Sequence, residues 1–438
     1  MATTRRRFLA LGSMAAMALA ATACGGNSSN GESSSDDSGT TLTYWASNQG
    51  TSLANDKEVL TPVLADFTKQ TGIKVTLEVI GWNDLQTRIQ TAITSGQGPD
   101  VLNIGNTWGV SLQATGGLME FADAEMKAIG GSDRFVKAAL ETGGAPGTTP
   151  TSVPLYGLAY GLYYNKAMFT AAGLQPPTTW EEMVAAGKKL TDPSKGVYGM
   201  SLAAASYTEN AHFAFINAAQ NGAALFDSGG KPTFTTSGVV DGVQRYIDLM
   251  QTDKIVNTSD SQYDNGTLSV TAFAKKKAAM IINQNNADAT IISAGMKADE
   301  FGVVPFPAPQ DAKSDVASHI AGINIAIMKS TKHKDQALKL VKHMTSESVQ
   351  GTLGKPFSSL PVLKDGKATF TTDADELKVF TEVYNTRSKP LPLVANEDQF
   401  ETSVGKAMNN LFAKVATGTT IRSADVSSVL KTAQDSIR

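Results

Sequence analysis

Amide and tryptophan side chains stand at three points of the chain where predicted strands end. Residues 48–49 are Asn-Gln, residues 81–82 are Gly-Trp, and Asn106 and Trp108 follow Gly105. Asparagine and glutamine donate and accept hydrogen bonds without carrying net charge. Tryptophan offers a flat apolar face with one polar edge. These residue types suit a neutral ligand that has hydroxyls around its rim and C–H groups on its faces, as a sugar has.

Motifs for catalysis or cofactor binding are missing from the sequence. The four histidines, at positions 212, 319, 333 and 343, lack metal-ligand spacing. No G-x-S-x-G, no P-loop and no G-x-G-x-x-G after a strand is found. Glycoside hydrolysis requires two carboxylates, and acidic residues are too common for the sequence to exclude such a pair, although none lies at the three strand ends. We predict no catalytic residue, no cofactor and no metal.

The elements that position these side chains form a repeating pattern. Strand-like runs at 42–46, 73–79 and 101–104 alternate with two amphipathic helices that end at Gly72 and near Gly96. A β-α-β-α-β order within about 60 residues predicts an α/β fold with a parallel sheet. Ligands bind beyond the carboxyl ends of such strands. Alternatively, residues 48–49 form only a turn, and Trp82 packs in the core.

The first 23 residues have the pattern of an export signal. Arg5–Arg7 precede a short apolar run, which is too short for the about 20 residues of a bilayer span. Small residues then precede Cys24, the only cysteine. The pattern resembles a bacterial lipoprotein signal, and residues 5–9 also resemble a twin-arginine signal, so the choice between the Tat and Sec routes stays open.

These features predict where the protein works. We expect residues 1–23 to be a cleaved signal peptide, Cys24 to carry lipid, and residues 24–40 to be a disordered tether rich in Gly and Ser. The expected location is the extracytoplasmic face of the cell membrane.

Size and charge restrict the remaining possibilities. The chain has 438 residues, and the about 400 that follow the tether are too many for one core, so two lobes are expected. Hydrophobic residues make up 41% and charged residues 18%. The net charge is −3, and it becomes −6 without the three arginines of the signal. The chain therefore lacks the basic surface of a nucleic-acid-binding protein.

An ordered set of short motifs gives a family resemblance. The clearest lie at residues 163–169 (Tyr-Tyr-Asn-Lys-Ala-Met-Phe), 172–174 (Ala-Gly-Leu) and 176–182 (Pro-Pro-Thr-Thr-Trp-Glu-Glu), and further matches lie at 98–101, 277–281, 301–305 and 321–327. From about residue 41 onward the chain resembles the family 1 extracellular solute-binding proteins, which serve carbohydrate ABC importers and include maltose-binding protein.

The resemblance implies a two-lobed periplasmic-binding-protein-like fold, in which each lobe is an open sheet flanked by helices. The first lobe is expected to comprise residues 41–157 and 302–330, and the second 158–301 and 331–438. Crossovers between the lobes are expected at 154–163, 301–307 and 328–334.

The resemblance also implies positions for the ligand site. Residues 283–286, Asn-Gln-Asn-Asn, follow a strand that leads to a cleft-facing loop in the family, where a tryptophan often stands; this chain has Asn286 there. The same residues would otherwise form a loop of turn-forming amides. The candidate ligand-binding residues are Asn48, Gln49, Trp82, Asn106, Trp108, Tyr156, Tyr160, Asn210, Asn283, Gln284, Asn286, Gly322, Phe357 and Arg387.

The expected function follows from the resemblance. The chain would be the monomeric substrate-binding lipoprotein of an ABC importer, capturing a sugar or oligosaccharide by hinge closure and delivering it to the permease subunits. One alternative is a non-sugar solute, either a glycerophosphodiester or a peptide. Phosphate is usually bound by arginine. Because the first-lobe strand ends contain no arginine, a neutral ligand is favoured. A third hypothesis is an exported carbohydrate-active enzyme.

Overall fold

Two open β-sheets organise the computed structural model, which describes residues 39–437. The predicted signal peptide, Cys24 and most of the predicted tether lie outside the described residues. The strands are Thr41–Ser47 (β1), Lys74–Ile80 (β2), Val101–Gly105 (β3), Ser152–Leu158 (β4), Tyr160–Asn165 (β5), Tyr198–Ser201 (β6), Ala278–Gln284 (β7), Phe301–Val304 (β8), Ser318–His319 (β9), Ala321–Ile327 (β10) and Ser388–Lys389 (β11).

Helices cover both sheets. They are Leu53–Thr71 (α1), Trp82–Ser95 (α2), Gly109–Ala114 (α3), Asp123–Ala128 (α4), Lys137–Glu141 (α5), Lys166–Ala171 (α6), Trp180–Leu190 (α7), Tyr207–Gln220 (α8), Ser237–Gln251 (α9), Gly266–Ala274 (α10), Ala287–Ser293 (α11), Lys334–Met344 (α12), Glu347–Gly354 (α13), Ala374–Thr386 (α14), Glu397–Ala416 (α15) and Ser423–Ser436 (α16). Within residues 39–437, none of them is long and apolar enough to cross a membrane.

The first sheet, which we call sheet I, has the strand order β2-β1-β3-β10-β4. Strand β1 runs parallel to both β2 and β3, and β10 runs antiparallel to β3 and β4. The predicted β-α-β-α-β unit is confirmed. Helix α1 ends before Gly72, as predicted. Gly72 adopts a φ of 77°, and its N–H donates to the carbonyl of Thr68 at 2.8 Å.

The second sheet, sheet II, has the order β6-β7-β5-β8. Strand β5 pairs antiparallel with β7 and β8, and β6 pairs parallel with β7. Helices α8, α9, α15 and α16 pack together in the core associated with this sheet. We use first lobe and second lobe for sheet I and sheet II, each with the helices that pack on it.

The first passage of the chain from sheet I to sheet II takes a single residue. Strand β4 ends at Leu158 in sheet I and β5 begins at Tyr160 in sheet II, so Ala159 alone connects them. Its N–H donates to Oδ1 of Asn285 at 2.8 Å, and its carbonyl accepts from the backbone N–H of Asn285 at 3.1 Å. This connection lies within the predicted first crossover.

The other predicted lobe boundaries disagree with the packing. Residues 301–304 pair with β5 in sheet II, so the assignment of 302–304 to the first lobe is wrong. Helices α12 and α13 belong to the core of sheet I rather than to the second lobe. The apolar face of α12, which includes Leu340 and Val341, covers that sheet. The chain returns to the second core between Leu363 and Phe370, beyond the predicted crossover at 328–334.

Replacing Leu340 tests the placement of α12. This side chain is 0% exposed within the core of sheet I. We expect Leu340→Ala to lower the free energy of unfolding by about 2–5 kcal/mol, because it leaves a cavity. Chemical denaturation of residues 39–437 measures the change. Lys342→Ala, on the exposed side of the same helix, should stay within about 0.5 kcal/mol. Equal, small effects of both substitutions would contradict this packing.

Candidate ligand-binding site

A cavity of about 260 Å³ opens between the carboxyl ends of the sheet I strands and the second lobe. Because β1, β2 and β3 run in parallel, the residues after each of them meet at one edge. The predicted residues that line this cleft are Asn48, Gln49, Trp82, Asn106, Trp108, Tyr160, Asn283, Gln284, Asn286 and Gly322. The structure therefore brings most of the candidate set together in one place.

Two tryptophans form part of the first-lobe wall. The rings of Trp82 and Trp108 meet edge to face, with centroids 5.6 Å apart and an interplanar angle of 69°. The indole N–H of Trp82 donates to the carbonyl of Asn48 at 2.7 Å. Gly105 lets the Trp108 ring approach closely, since a Cβ there would lie 3.3 Å from two ring atoms. Both indoles are thus fixed by the strand-end loops that precede them.

The loop after β1 is held by a buried carboxylate. Asp56, in the first turn of α1, accepts hydrogen bonds from the backbone N–H groups of Gln49 at 3.0 Å and Gly50 at 2.7 Å, and from the side-chain amide of Asn48. Burial raises the pKa of Asp56, against the effect of these bonds. Asn48 therefore shapes the loop, whereas the side-chain amide nitrogen of Gln49 has no partner in the described chain.

The end of β7 and the loop after it supply the opposite wall. Asn283, Gln284 and Asn286 face the cavity. The side chain of Asn285 turns inward instead, where its Oδ1 accepts from Ala159 and its Nδ2 donates to the carbonyl of Ser358. Nδ2 of Asn283 is buried and has no partner among residues 39–437. One residue of the cluster thus fixes the loop while its neighbours remain available to a ligand.

Gly322 lines the cleft for a reason of backbone packing. A Cβ at this position would lie 2.3 Å from the carbonyl oxygen of Tyr156 on the neighbouring strand β4. Glycine at position 322 therefore allows the close approach of the β4 backbone.

Several cleft residues were missed by the sequence-based prediction. They are Glu209 on α8, Glu401 on α15 and His319 on β9, and they join His212, which lies three residues after Glu209 on the same face of α8. Ser206 caps α8 by accepting from the N–H of Glu209 at 3.4 Å. In sequence, the Ser-x-x-Glu spacing is the signature of a capping box, which would predict a purely structural role for Glu209.

A chain of hydrogen bonds crosses the cleft. The hydroxyl of Tyr160 lies 2.9 Å from Nδ1 of His212, and Nε2 of His212 lies 3.2 Å from Oε1 of Glu401. The indole N–H of Trp108 donates to the other oxygen of Glu401 at 3.0 Å. Trp108 belongs to the first lobe and the other three to the second. Glu401 is thus bonded from both sides.

His319 lies beside this chain. Its ring contacts that of His212, with centroids 4.1 Å apart and an interplanar angle of 37°. Burial, with a contribution from His212, lowers the pKa of His319 well below its usual value, so the ring is neutral. Its Nδ1 has no hydrogen-bond partner among the described residues.

Tyr156 and Phe357 do not line the cleft. Their rings pack edge to face at 5.4 Å inside the core of sheet I. Tyr156 lies on β4, whereas Tyr160 lies on β5 beyond the crossover and reaches the cavity. Of the predicted ligand contacts Tyr156, Tyr160 and Phe357, only Tyr160 therefore lines the cleft.

Asn210 and Arg387 also lie elsewhere. Asn210 faces away from the cavity on α8 and donates to Oδ1 of Asn409 at 2.7 Å, which ties α8 to α15. Its neighbours at 209 and 212 occupy the cleft-facing side of the helix. Arg387 donates to the carbonyl of Asp315 at 3.1 Å and pairs with its carboxylate at 3.5 Å.

A second, larger concavity on the second lobe is a weaker candidate. It has a volume of about 790 Å³ and includes Arg245. The Arg245 guanidinium donates to side chains of Asn217, Asn221 and Gln220 and lies over the ring of Trp180. None of its lining residues carries an unpartnered buried polar atom. The cleft between the lobes is therefore the better candidate, and residues 39–437 contain no group of side chains suited to a metal ion.

Two buried carboxyl groups stand behind the second-lobe wall. Asp288 is the second residue of α11, and Glu376 lies on α14. Burial raises the pKa of Glu376 from 4.5 to about 8, with the charge of Asp288 adding to the effect. Burial likewise raises the pKa of Asp288 to about 6. Oε1 of Glu376 and Oδ1 of Asp288 have no partners within the described chain.

The family assignment comes from comparison with known proteins. The model of the family described as bacterial extracellular solute-binding protein matches residues 50–351. The chain belongs to this family. The predicted resemblance is confirmed.

Individual solute-binding proteins agree with the assignment. The chain is 25% identical over 377 residues to the diacetylchitobiose binding protein DasA of Streptomyces coelicolor, covering 82% of each chain. It is 25% identical over 298 residues to the multiple sugar-binding protein of Streptococcus mutans, covering 66% of this chain and 68% of that protein.

A solved structure confirms the two-lobed fold. The structure of an ABC transporter solute-binding protein from Thermotoga lettingae, bound with α-D-tagatose, superposes on this chain with a TM-score of 0.78 at 22% identity. The superposition covers 90% of this chain and 99% of that one.

Glu376→Gln tests the buried carboxyl pair. In the folded protein the pKa of Glu376 lies above its ordinary 4.5. Ionisation therefore favours unfolding, and stability should fall as the pH rises from about 4.5 to 8. We expect Glu376→Gln to remove part of this loss, on the order of a few kcal/mol at pH 9. Urea denaturation between pH 5 and 9 measures it. The control is Glu382→Gln, an exposed position on the same helix; curves parallel to wild type for both variants would disprove the assignment.

Proposed function

We propose that this protein is the substrate-binding lipoprotein of an ABC importer for a sugar or oligosaccharide. The lobes capture the ligand in the cleft, close on it and present it to membrane permease subunits. The observation that carries this proposal is the lining of the cleft: amides, indoles and hydroxyls, among them the unpartnered nitrogens of Gln49 and Asn283. Such groups satisfy the hydroxyl oxygens of a polyol.

The charges in the cleft favour a sugar over a phosphodiester. Its lining contains no lysine or arginine. Of the helices that begin at the cavity, α8 and α10 are capped by Ser206 and Asn265, whereas α2 and α11 have no side-chain cap. A phosphate would nevertheless lack the guanidinium or ammonium group that usually binds it. Relatives named for diacetylchitobiose and for multiple sugars support the same ligand class.

Binding without turnover is expected. Glu209 and Glu401 line the same cavity, as a glycosidase pair would. Glu401, however, is already bonded to Trp108 and His212, which restricts it as a nucleophile or base. Chromatography of the released ligand checks this point, because an intact saccharide is expected and a hydrolysed one would favour the enzyme hypothesis.

A thermal-shift screen of residues 39–437 against mono- and oligosaccharides tests the ligand class. A ligand at about 100 times its Kd stabilises the folded state by about 2.7 kcal/mol. We expect Trp82→Ala to weaken binding of the best saccharide at least about tenfold, because it removes a ring from the wall and the bond to Asn48. Arg387→Ala, outside the cleft, should bind as wild type does. If no saccharide stabilises the protein while a phosphodiester or peptide does, the sugar assignment is wrong.

The lipid anchor is tested in cells with Cys24→Ala. Fatty-acid labelling and fractionation should show that the wild-type protein is labelled and sediments with membranes. The variant should lose the label and become soluble outside the cytoplasm, since no other residue of the proposed signal can carry the lipid. Ser28→Ala, within the proposed tether, is the control and should remain labelled. A labelled Cys24→Ala protein would contradict the proposed anchor.

A further inference from the structure

The acidic groups of the cleft have no basic side chain beside them. Three carboxyl groups line it, those of Glu209, Asp264 and Glu401, and its lining has no lysine or arginine. An uncharged polyol would leave these groups without a counter-ion, whereas a cationic group on the ligand would supply one. The position and partners of each carboxylate decide which of them such a group would meet.

Two of the three carboxylates already have partners. Glu401 is bonded by the indole of Trp108 and the imidazole of His212. Asp264 accepts from the side-chain amide of Asn265 at 2.8 Å at the exposed rim. The carboxylate of Glu209 has neither a hydrogen bond nor an ion pair with any residue that the structure describes. It is the one acidic group of the lining left for a ligand.

The surroundings of Glu209 direct it into the cavity. Glu209 is the third residue of α8, the position from which a glutamate can accept a hydrogen bond from the backbone N–H of the N-cap residue. Only the other bond of such a capping box is present, in which Ser206 accepts from the N–H of Glu209. Gly266 leaves room for its carboxylate, since a Cβ at 266 would lie 2.6 Å from Oε1 of Glu209. The same Cβ would lie 2.9 Å from the unpartnered Nδ2 of Asn283. An acceptor and a donor therefore flank one space.

Two further side chains of the same cavity have buried polar atoms without partners. Gln49 is only 4% exposed and His319 only 1%, yet Nε2 of Gln49 and Nδ1 of His319 have no partners among residues 39–437. Both side chains line the same cavity as Glu209. Buried polar groups left unsatisfied destabilise a protein, so these atoms indicate hydrogen-bonding partners on a bound molecule.

We propose that the preferred ligand is a saccharide bearing a protonated amine, which Glu209 binds as its counter-ion while Gln49 and Asn283 donate to ligand oxygens. This inference rests on the proposed function and names the class of sugar. It combines a carboxylate without a partner, amide donors without partners and a lining without cations.

The electrostatics of Glu209 support this assignment. Burial raises the pKa of Glu209 to about 8, so at pH 7 the empty protein holds a proton on this group. The titratable groups around it are the hydroxyls of Tyr160 on β5 and Tyr246 on α9, whose own pKa values Glu209 helps to raise, and, through His212, Glu401 on α15. An ammonium beside the carboxylate favours its ionised form. Binding of the amine should therefore release that proton to the solvent.

Matched sugars test the inference. The probes are sets that share ring and linkage and differ only at one position, as an amine, an acetamide or a hydroxyl; glucosamine, N-acetylglucosamine and glucose form one set, and their β-1,4-linked dimers another. Titration calorimetry at pH 7 measures each Kd. In at least one set, we expect the amine to bind at least about tenfold more tightly than its hydroxyl counterpart. Glu209→Gln should reduce that preference to within about threefold while retaining the neutral sugar.

A control variant and a second readout separate the possible outcomes. Asp264→Asn removes the same charge from the rim and should keep the preference. Calorimetry in buffers of different ionisation enthalpy should show proton release with the amine, and none for Glu209→Gln. If neutral sugars bind as well as amines or better in every set, or if Glu209→Gln keeps the preference, this inference fails and the proposed function stands. If no saccharide binds, both fail.

Discussion

One buried carboxylate joins the two halves of the molecule across the cleft. Glu401 accepts from Trp108 of the first lobe and lies within hydrogen-bonding distance of His212 of the second. A buried charge of this kind is stable only when its partners are held in place. Gly105 permits the position of the Trp108 ring, and Tyr160 bonds the far side of His212. The geometry of the cleft therefore depends on both lobes, and Gln49, Asn283 and His319 each keep an unpartnered polar atom in its lining.

The first-lobe wall could be predicted from sequence because its geometry is local. Three parallel strands each end within a few residues of a polar or aromatic side chain, and parallel strands end at one edge. Asn48, Trp82 and Trp108 are about 60 residues apart at most, and one supersecondary unit places them. The second-lobe wall depends on long-range packing. Glu209 and Glu401 lie on helices nearly 200 residues apart, and no periodicity in the sequence relates them. The spacing of Ser206 and Glu209 even indicates another role, because the same pattern marks an ordinary helix cap.

The wrongly predicted lobe boundaries and the wrongly assigned ligand residues have similar causes. Helix α12 is amphipathic, and an amphipathic helix can cover either sheet, so its sequence does not say which. The chain places it on sheet I, where Leu340 and Val341 are buried. The sequence analysis places Asn210 among the ligand-binding residues, and its neighbours Glu209 and His212 do line the cleft. On a helix, however, adjacent residues point in different directions, and Asn210 bonds Asn409 instead.

The bonds of Asn285 tie the short connection between β4 and β5 to the binding surface. Both backbone polar groups of Ala159, the lone link between β4 and β5, are bonded to Asn285, whose amide also reaches the carbonyl of Ser358. A rotation of one lobe against the other must turn the backbone near Ala159. It must then either shift residues 283–286 in concert or break those bonds. The angle between the lobes and the position of residues 283–286 are therefore coupled, so that a ligand that shifts these residues also changes the angle.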